Sequence, residues 1–186
     1  SLNCGIGSSD NKKNIEKNLK IVLKKINSKR KKIFLPKQIH SNKFYLIHKK
    51  ITNKRIKCDA VITDQKKIPI GVLTADCAPI IIFDPKRMLI SLVHAGWKGA
   101  FKGIVKKVIT FFKKKGSNVK DLIAVIGPCI SIKNYEIKKD FMKKFLKKNK
   151  KNKIYFKFSK NKIFFDLRKY ISFQIKSFGI NKLEII

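Results

Sequence analysis

The sequence predicts a mixed fold, α/β or α+β, folded as a single domain. Three observations predict it. Apolar residues recur at helical spacing in four separate stretches. Short runs of Ile, Val, Leu and Phe, bounded by turn residues, stand between them. No linker, fixed-period repeat or composition break divides the 186 residues. That length, with 44% hydrophobic residues, suffices for one sizeable core and argues against wholesale disorder.

The elements follow in chain order. Over residues 11–26, Ile15, Leu19, Val22, Leu23 and Ile26 recur at helical spacing, with Ser9 or Asp10 placed to cap the helix. Residues 33–35, 43–47, 60–63 and 70–73 read as strands. Residues 79–83 and 88–93 read as two buried strands joined by a turn at Asp84-Pro85-Lys86-Arg87. Residues 100–112 read as a helix with Ile104, Val105, Val108, Ile109 and Phe112 on its apolar side. Residues 122–126 form a buried strand ended by Gly127-Pro128. Residues 135–146 are expected to form a basic amphipathic helix with Phe141, Met142, Phe145 and Leu146 inward. Its stripe has the width of a packed helix, and it lacks the Trp of a membrane-surface element. A polar Lys/Asn loop at 147–153 leads to a strand at 154–158, a helix at 166–178 ending at Gly179, and a strand at 183–186. The chain opens on Ser1, reads at once like a domain interior, and stops on an apolar strand, so truncation at both ends of a 1–186 domain is expected.

Charge is the extreme feature: 46 basic against 11 acidic side chains, a net +35. A Lys-rich nucleic-acid-binding module is one reading. Against it, Arg occurs only at 30, 55, 87 and 168, whereas base readout favours the planar guanidinium. Ile, Asn and Phe are also abundant, as in Lys-rich proteins from A/T-biased genomes. The expectation is a solvated Lys surface without a specific nucleic-acid partner, though with salt-sensitive, non-specific attraction to polyanions. Four scattered cysteines (Cys4, Cys58, Cys77, Cys129) make no C-x-x-C pair, which suits reduced thiols in a cytoplasmic protein better than a disulfide scaffold. No apolar run approaches the ~20 residues that span a bilayer, so no membrane partner is expected.

Three segments place reactive side chains at strand ends beside tight turns: Gln38-Ile39-His40-Ser41, Thr74-Ala75-Asp76-Cys77-Ala78-Pro79, and His94-Ala95-Gly96-Trp97-Lys98-Gly99. His40, Cys77 and His94 together make a two-imidazole, one-thiolate set. That set suits zinc, and three protein ligands leave a fourth position for water or substrate. A bound water there would be acidified towards a pKa of about 7. The spacing matches no local zinc-finger pattern. The same residues allow a second chemistry, with Cys77 as a nucleophile activated by either histidine.

These segments resemble the multicopper polyphenol oxidase (laccase-domain) family, better described as zinc-dependent purine nucleoside phosphorylases. The matching stretches are S-L-N-C-G at 1–5, K-Q-I-H-S at 37–41, C-D-A-V-I-T at 58–63, T-A-D-C-A-P at 74–79, H-A-G-W-K-G at 94–99, I-G-P-C-I at 126–130, Y-E-I at 135–137 and F-D-L at 165–167. T-A-D-C with H-A-G-W-K-G is specific in combination. The resemblance implies a four-layer α/β/β/α sandwich, with His40, Cys77 and His94 as metal ligands. It also implies phosphorolysis of adenosine, inosine, guanosine and S-methyl-5′-thioadenosine, and deamination of adenosine. A copper-dependent polyphenol oxidase (Cu2+) is the alternative, but three histidines in all fall short of the His-rich ligand set such an enzyme needs.

On this reading Asp76, beside Cys77, orients a ligand or moves a proton, and is assigned with Cys77 to catalysis. Asp59 offers similar chemistry. It is grouped with Gln38, Trp97 and Lys98 as a substrate-binding residue. Gln38 would bond the base or a ligand histidine, and Trp97 would stack on a purine unless it packs in the core. Cys129 is expected to be a buried thiol. Two departures from the family are visible. Leu19 stands where many members carry an Arg that holds phosphate or substrate, leaving Lys17 or Lys20 as point charges. A Cys-, Ser- and Arg-containing tail is absent.

Overall fold

A computed structural model describes residues 2–48 and 55–186. Ser1, the first residue of the first matching stretch, lies outside them. Helix α1, Lys12–Lys25, is capped by neither Ser9 nor Asp10: Asn11 takes that place, its side chain accepting from the Lys13 amide. Only Ile15 and Leu23 of its apolar stripe are buried.

The main sheet has six strands in the order β1-β2-β4-β3-β5-β9: β1 (Phe44–Ile47), β2 (Ala60–Thr63), β3 (Ala78–Asp84), β4 (Leu89–Ala95), β5 (Ile123–Ile126) and β9 (Lys182–Ile185). The β3–β4 hairpin forms at the expected turn. The buried Asp84 carboxylate accepts from the Lys86 and Arg87 amides at 2.9 and 3.1 Å and so closes it. The expected strands at 33–35 and 70–73 shrink to one parallel bridge between Phe34 and Ile70, since each touches its neighbour at one residue only. On β2, Ala60 and Ile62 face the main core. Val61 faces the other way, into a small cluster with Phe34 and Ile47.

The helix expected at 100–112 is two helices, α2 (Trp97–Phe101) and α3 (Ile104–Lys114). The break falls at Gly103, whose φ of +82° is a left-handed conformation that glycine adopts without a side-chain clash. The five apolar residues predicted on α3 are all buried. A helix does form after residue 135, but it starts later. Glu136–Ile137 is a strand, β6, hydrogen-bonded to β8 (Lys162–Phe165), and α4 runs Lys139–Lys148. Phe145 of α4 has no solvent exposure and packs into the main core. The supposed Lys/Asn loop is partly a 3-10 turn, Lys150–Tyr155, that leads into β7 (Phe156–Ser159). Strands β6, β8 and β7 make a second, three-stranded antiparallel sheet. Helix α5, Leu167–Ser177, is capped by Asp166, which accepts from the Lys169 amide.

One large core joins these parts. Ile80, Ile82, Val93, Ala124 and Ile126 of the six-stranded sheet meet α3 and α5. Next to them Trp97, Phe101, Phe141, Phe145, Phe156, Phe165 and Tyr170 stack ring on ring. The expected class, mixed α/β with two sheets and helices in one domain, is the one adopted.

Candidate metal centre

Three strand junctions converge as the sequence predicts. His40 lies in the turn before β1, Cys77 just before β3, and His94 near the end of β4, where it pairs with Pro79 of β3. One nitrogen or sulfur atom from each lies within 4.8 Å of the others. Cys77 Sγ is 3.8 Å from His40 Nε2, and the two imidazole rings meet edge to face at 4.9 Å. A tetrahedral zinc ion with ordinary bond lengths would separate sulfur and nitrogen by about 3.6 Å. The donor set and its spacing therefore fit a small ion with little rearrangement. Burial is graded across the trio: His94 is buried, Cys77 half-buried and His40 exposed, so the cluster is closed behind and open in front.

Close packing makes this possible. A Cβ placed on Gly96 would lie 2.6 Å from Cys77 Sγ and 3.2 Å from His40 Cδ2. The backbone of the H-A-G-W turn thus approaches Cys77 and His40 more closely than any side chain permits. His40 itself has a φ of +54°, in the left-handed region.

Asp59 is fully buried. Its carboxylate accepts from the amides of Ile39, His40 and Ser41, from the Ser41 hydroxyl at 2.7 Å, and from His94 Nδ1 at 2.9 Å. Burial pushes the carboxyl up, but the bonds from His94 and Ser41 and the His40 amide outweigh it and hold the pKa at about 2. Burial pushes His94 down, and the hydrogen bonds and charges of Asp59 and Cys77 outweigh that, raising it to about 9. His40 is lowered, first by burial and then by the neighbouring His94.

The remaining expected site residues divide. Asp76 and Lys98 are exposed beside the cluster, and the charge of Lys98 is felt at His40. Asp59, grouped by sequence with the substrate-binding residues, lies behind the cluster with both oxygens engaged and no surface to offer a substrate. Gln38 is likewise committed: its amide donates to the Leu73 carbonyl and accepts from the Leu73 amide, both at 2.7 Å. These two hydrogen bonds fix its orientation against the main chain and leave one N–H and one lone pair unused. Trp97 is half-buried and packs edge to face against Phe141 at 4.8 Å, at the margin of the core.

The structure adds three residues whose roles sequence reasoning missed. The Ile130 amide donates to the Asp76 carbonyl at 3.0 Å, which brings the G-P-C-I turn against the T-A-D-C turn. Cys129 is half-buried there; burial pushes its thiol up, and the facing Arg168 guanidinium opposes the shift. Tyr135 is pushed up to about 12 by burial and then by Cys77 and Asp76. The signal was present in I-G-P-C-I, Y-E-I and the residue after F-D-L, but no spacing rule connects them to Cys77.

The family model described as "Multi-copper polyphenol oxidoreductase laccase" matches residues 1–186. A purine nucleoside phosphorylase of Rickettsia conorii is 32% identical over 156 residues, covering 83% of this chain and 64% of its own length. A purine nucleoside phosphorylase of Aquifex aeolicus is 38% identical over 124 residues, covering 67% of this chain and 57% of its own. The chain thus spans less than two thirds of either relative. The crystal structure of the Bacillus licheniformis hypothetical protein YfiH superimposes with a TM-score of 0.87 at 23% identity, covering all of this chain and 74% of that one.

Proposed function

Because this chain belongs to the multi-copper polyphenol oxidoreductase laccase family, we propose that it is a zinc-dependent purine nucleoside phosphorylase. It cleaves adenosine, inosine, guanosine and S-methyl-5′-thioadenosine with phosphate, and also deaminates adenosine with water. The names of its relatives support the substrate class. The observation that carries the reading is the His40, Cys77 and His94 cluster, closed behind and open in front. Two nitrogens and one sulfur are a donor set for zinc. When bound, zinc supplies Lewis acidity at a fourth position that these ligands leave free.

The chain's own side chains fill the other roles. Asp76, exposed beside Cys77, holds or moves a proton at the purine. Lys98 meets phosphate as a point charge. Arg168, facing the Cys129 thiol, offers the planar guanidinium that Leu19 does not. In phosphorolysis a phosphate oxygen forms the bond to ribose C1′ as the bond to the purine nitrogen breaks, and the purine leaves with a proton. Cytoplasmic nucleosides and phosphate are the partners on this reading. Among the described residues no helix is long and apolar enough to cross a membrane.

The test is anaerobic purification, metal quantification, and product analysis with adenosine in the presence and absence of phosphate. One zinc per chain is expected, with adenine and ribose 1-phosphate formed only when phosphate is present, and inosine without it. Full zinc and full adenosine turnover in Cys77→Ala would overturn the assignment. Bound copper with turnover of a phenolic dye would favour the polyphenol oxidase reading, which the family's description keeps in view. Steeply salt-dependent nucleic-acid binding that survives Cys77→Ala would favour a polyanion-binding module.

A further inference from the structure

Resting on the metal reading above, we infer that Asp59 is the positioning residue of the cluster: one buried carboxylate presets both imidazoles by holding His94 through its Nδ1–H and the 39–41 turn through three consecutive amides.

The two halves of this anchor are visible separately. On one side, Asp59 Oδ1 accepts from His94 Nδ1 at 2.9 Å, which leaves Nε2 as the free ligand nitrogen. The main chain repeats the tie, since the His94 amide donates to the Asp59 carbonyl at 2.7 Å. On the other side, the amides of Ile39, His40 and Ser41 all point at the same carboxylate, at 3.1, 2.9 and 2.6 Å. Successive amides around a left-handed residue form an anion-binding concavity. Here the left-handed residue is His40, and the anion is Asp59. The His40 backbone conformation costs an L-residue free energy, and the three charge-assisted bonds offset that cost. A fully buried anion without these partners would be costly, so the carboxylate and the turn stabilise one another. Cys77 donates no hydrogen bond to Asp59; it is placed by its packing against Gly96 and its contact with His40.

Asp59→Asn keeps the shape but replaces one acceptor oxygen with a donor, so at least one of the donors converging there loses its partner. Zinc affinity, measured by competition with a chromophoric chelator, is expected to fall 10- to 100-fold, the range found when a carboxylate behind a metal ligand is removed. Ser41→Ala removes only the hydroxyl and is expected to stay within about threefold of wild type, because three amides and His94 still engage the carboxylate. At saturating zinc, the His94 Nδ1 proton is expected to exchange slowly with solvent in the wild type and quickly in Asp59→Asn, while the β3 and β5 backbone amides keep wild-type protection, a combination that a general loss of stability does not produce. A wild-type protein that binds no zinc sinks the metal reading. A wild type that binds zinc, with Asp59→Asn binding within threefold of it, sinks this inference and leaves the metal reading standing. Should Asp59→Asn fail to fold, the wild-type measurement decides alone: a rapidly exchanging His94 Nδ1 proton overturns the anchor.

Discussion

Replacing Gly96 with alanine separates the metal site from the fold. Gly96 has φ −71° and ψ 168°, extended values open to any residue, so alanine brings no backbone strain. The clash is local. The new Cβ would sit 2.6 Å from Cys77 Sγ, about 1 Å inside van der Waals contact. Sulfur lies at the end of a one-torsion side chain, so it yields by rotating away from the histidines. Metal sites tolerate roughly 0.2 Å in ligand distance, so a displacement of about 1 Å removes the thiolate from the coordination set. His40, at 3.2 Å, is also crowded. Zinc affinity is therefore expected to fall at least 100-fold. The metal-free protein should melt within a few degrees of wild type, since Gly→Ala at a permissive position stabilises by about 0.4–1 kcal/mol through the unfolded chain. Chelator competition and calorimetry of the metal-free form read the two effects. Wild-type zinc affinity in Gly96→Ala would refute the placement of Cys77 in the cluster. A large fall in metal-free Tm would refute the claim that the clash is local.

Further outcomes follow from the His94–Asp59 pair and from the aromatic core. In the metal-free protein His94 is raised from its usual 6.5 to about 9, so its contribution to stability is full below pH 6.5 and is lost as pH rises towards 9. Asp59, lowered from 3.8 to about 2, reports the same pair from the acid side: its contribution is present above pH 3.8 and is lost as pH falls towards 2. Melting temperature against pH checks both limbs, and zinc affinity should tighten with pH over the upper limb because the ion displaces the His94 proton. Phe145→Ala, at a fully buried ring packed among Phe101, Phe141, Phe165 and Tyr170, should cost about 3–5 kcal/mol, read by denaturant titration.

Legibility in the sequence followed the range of the interactions involved. Strand β2 lies where A-V-I-T places it, and α3 buries the five residues its period selects, because periodicity is local. Strand β8 was not anticipated, although K-I-F-F is strand-like. Its hairpin to β7 turns through Lys160 and Asn161 at φ +46° and +61°, a geometry usually signalled by Asn-Gly, and here no glycine marks it. The helix expected from residue 135 overran its start because pairing to β8 claims Glu136 and Ile137. At the site, the clustering of His40, Cys77 and His94 was legible from residue chemistry and motif order. The duties of Asp59 and Gln38 were not, because each depends on a partner far along the chain: His94 for Asp59 and Leu73 for Gln38.

The pairing of β2 and β3 with β4 has a consequence for the order of events in folding. Ala60 meets Val93, and Pro79 meets His94, only once the central strands have zipped in register. Until then the three ligand segments belong to separate parts of the coil, and loop closure keeps them apart. An ion at this site gains all three side chains only once the sheet has formed, so it latches the finished register. Its escape leads through the open front of the cluster, past the exposed His40, and needs no unpairing of β4, so its off-rate reports the three side chains and not the breathing of the sheet.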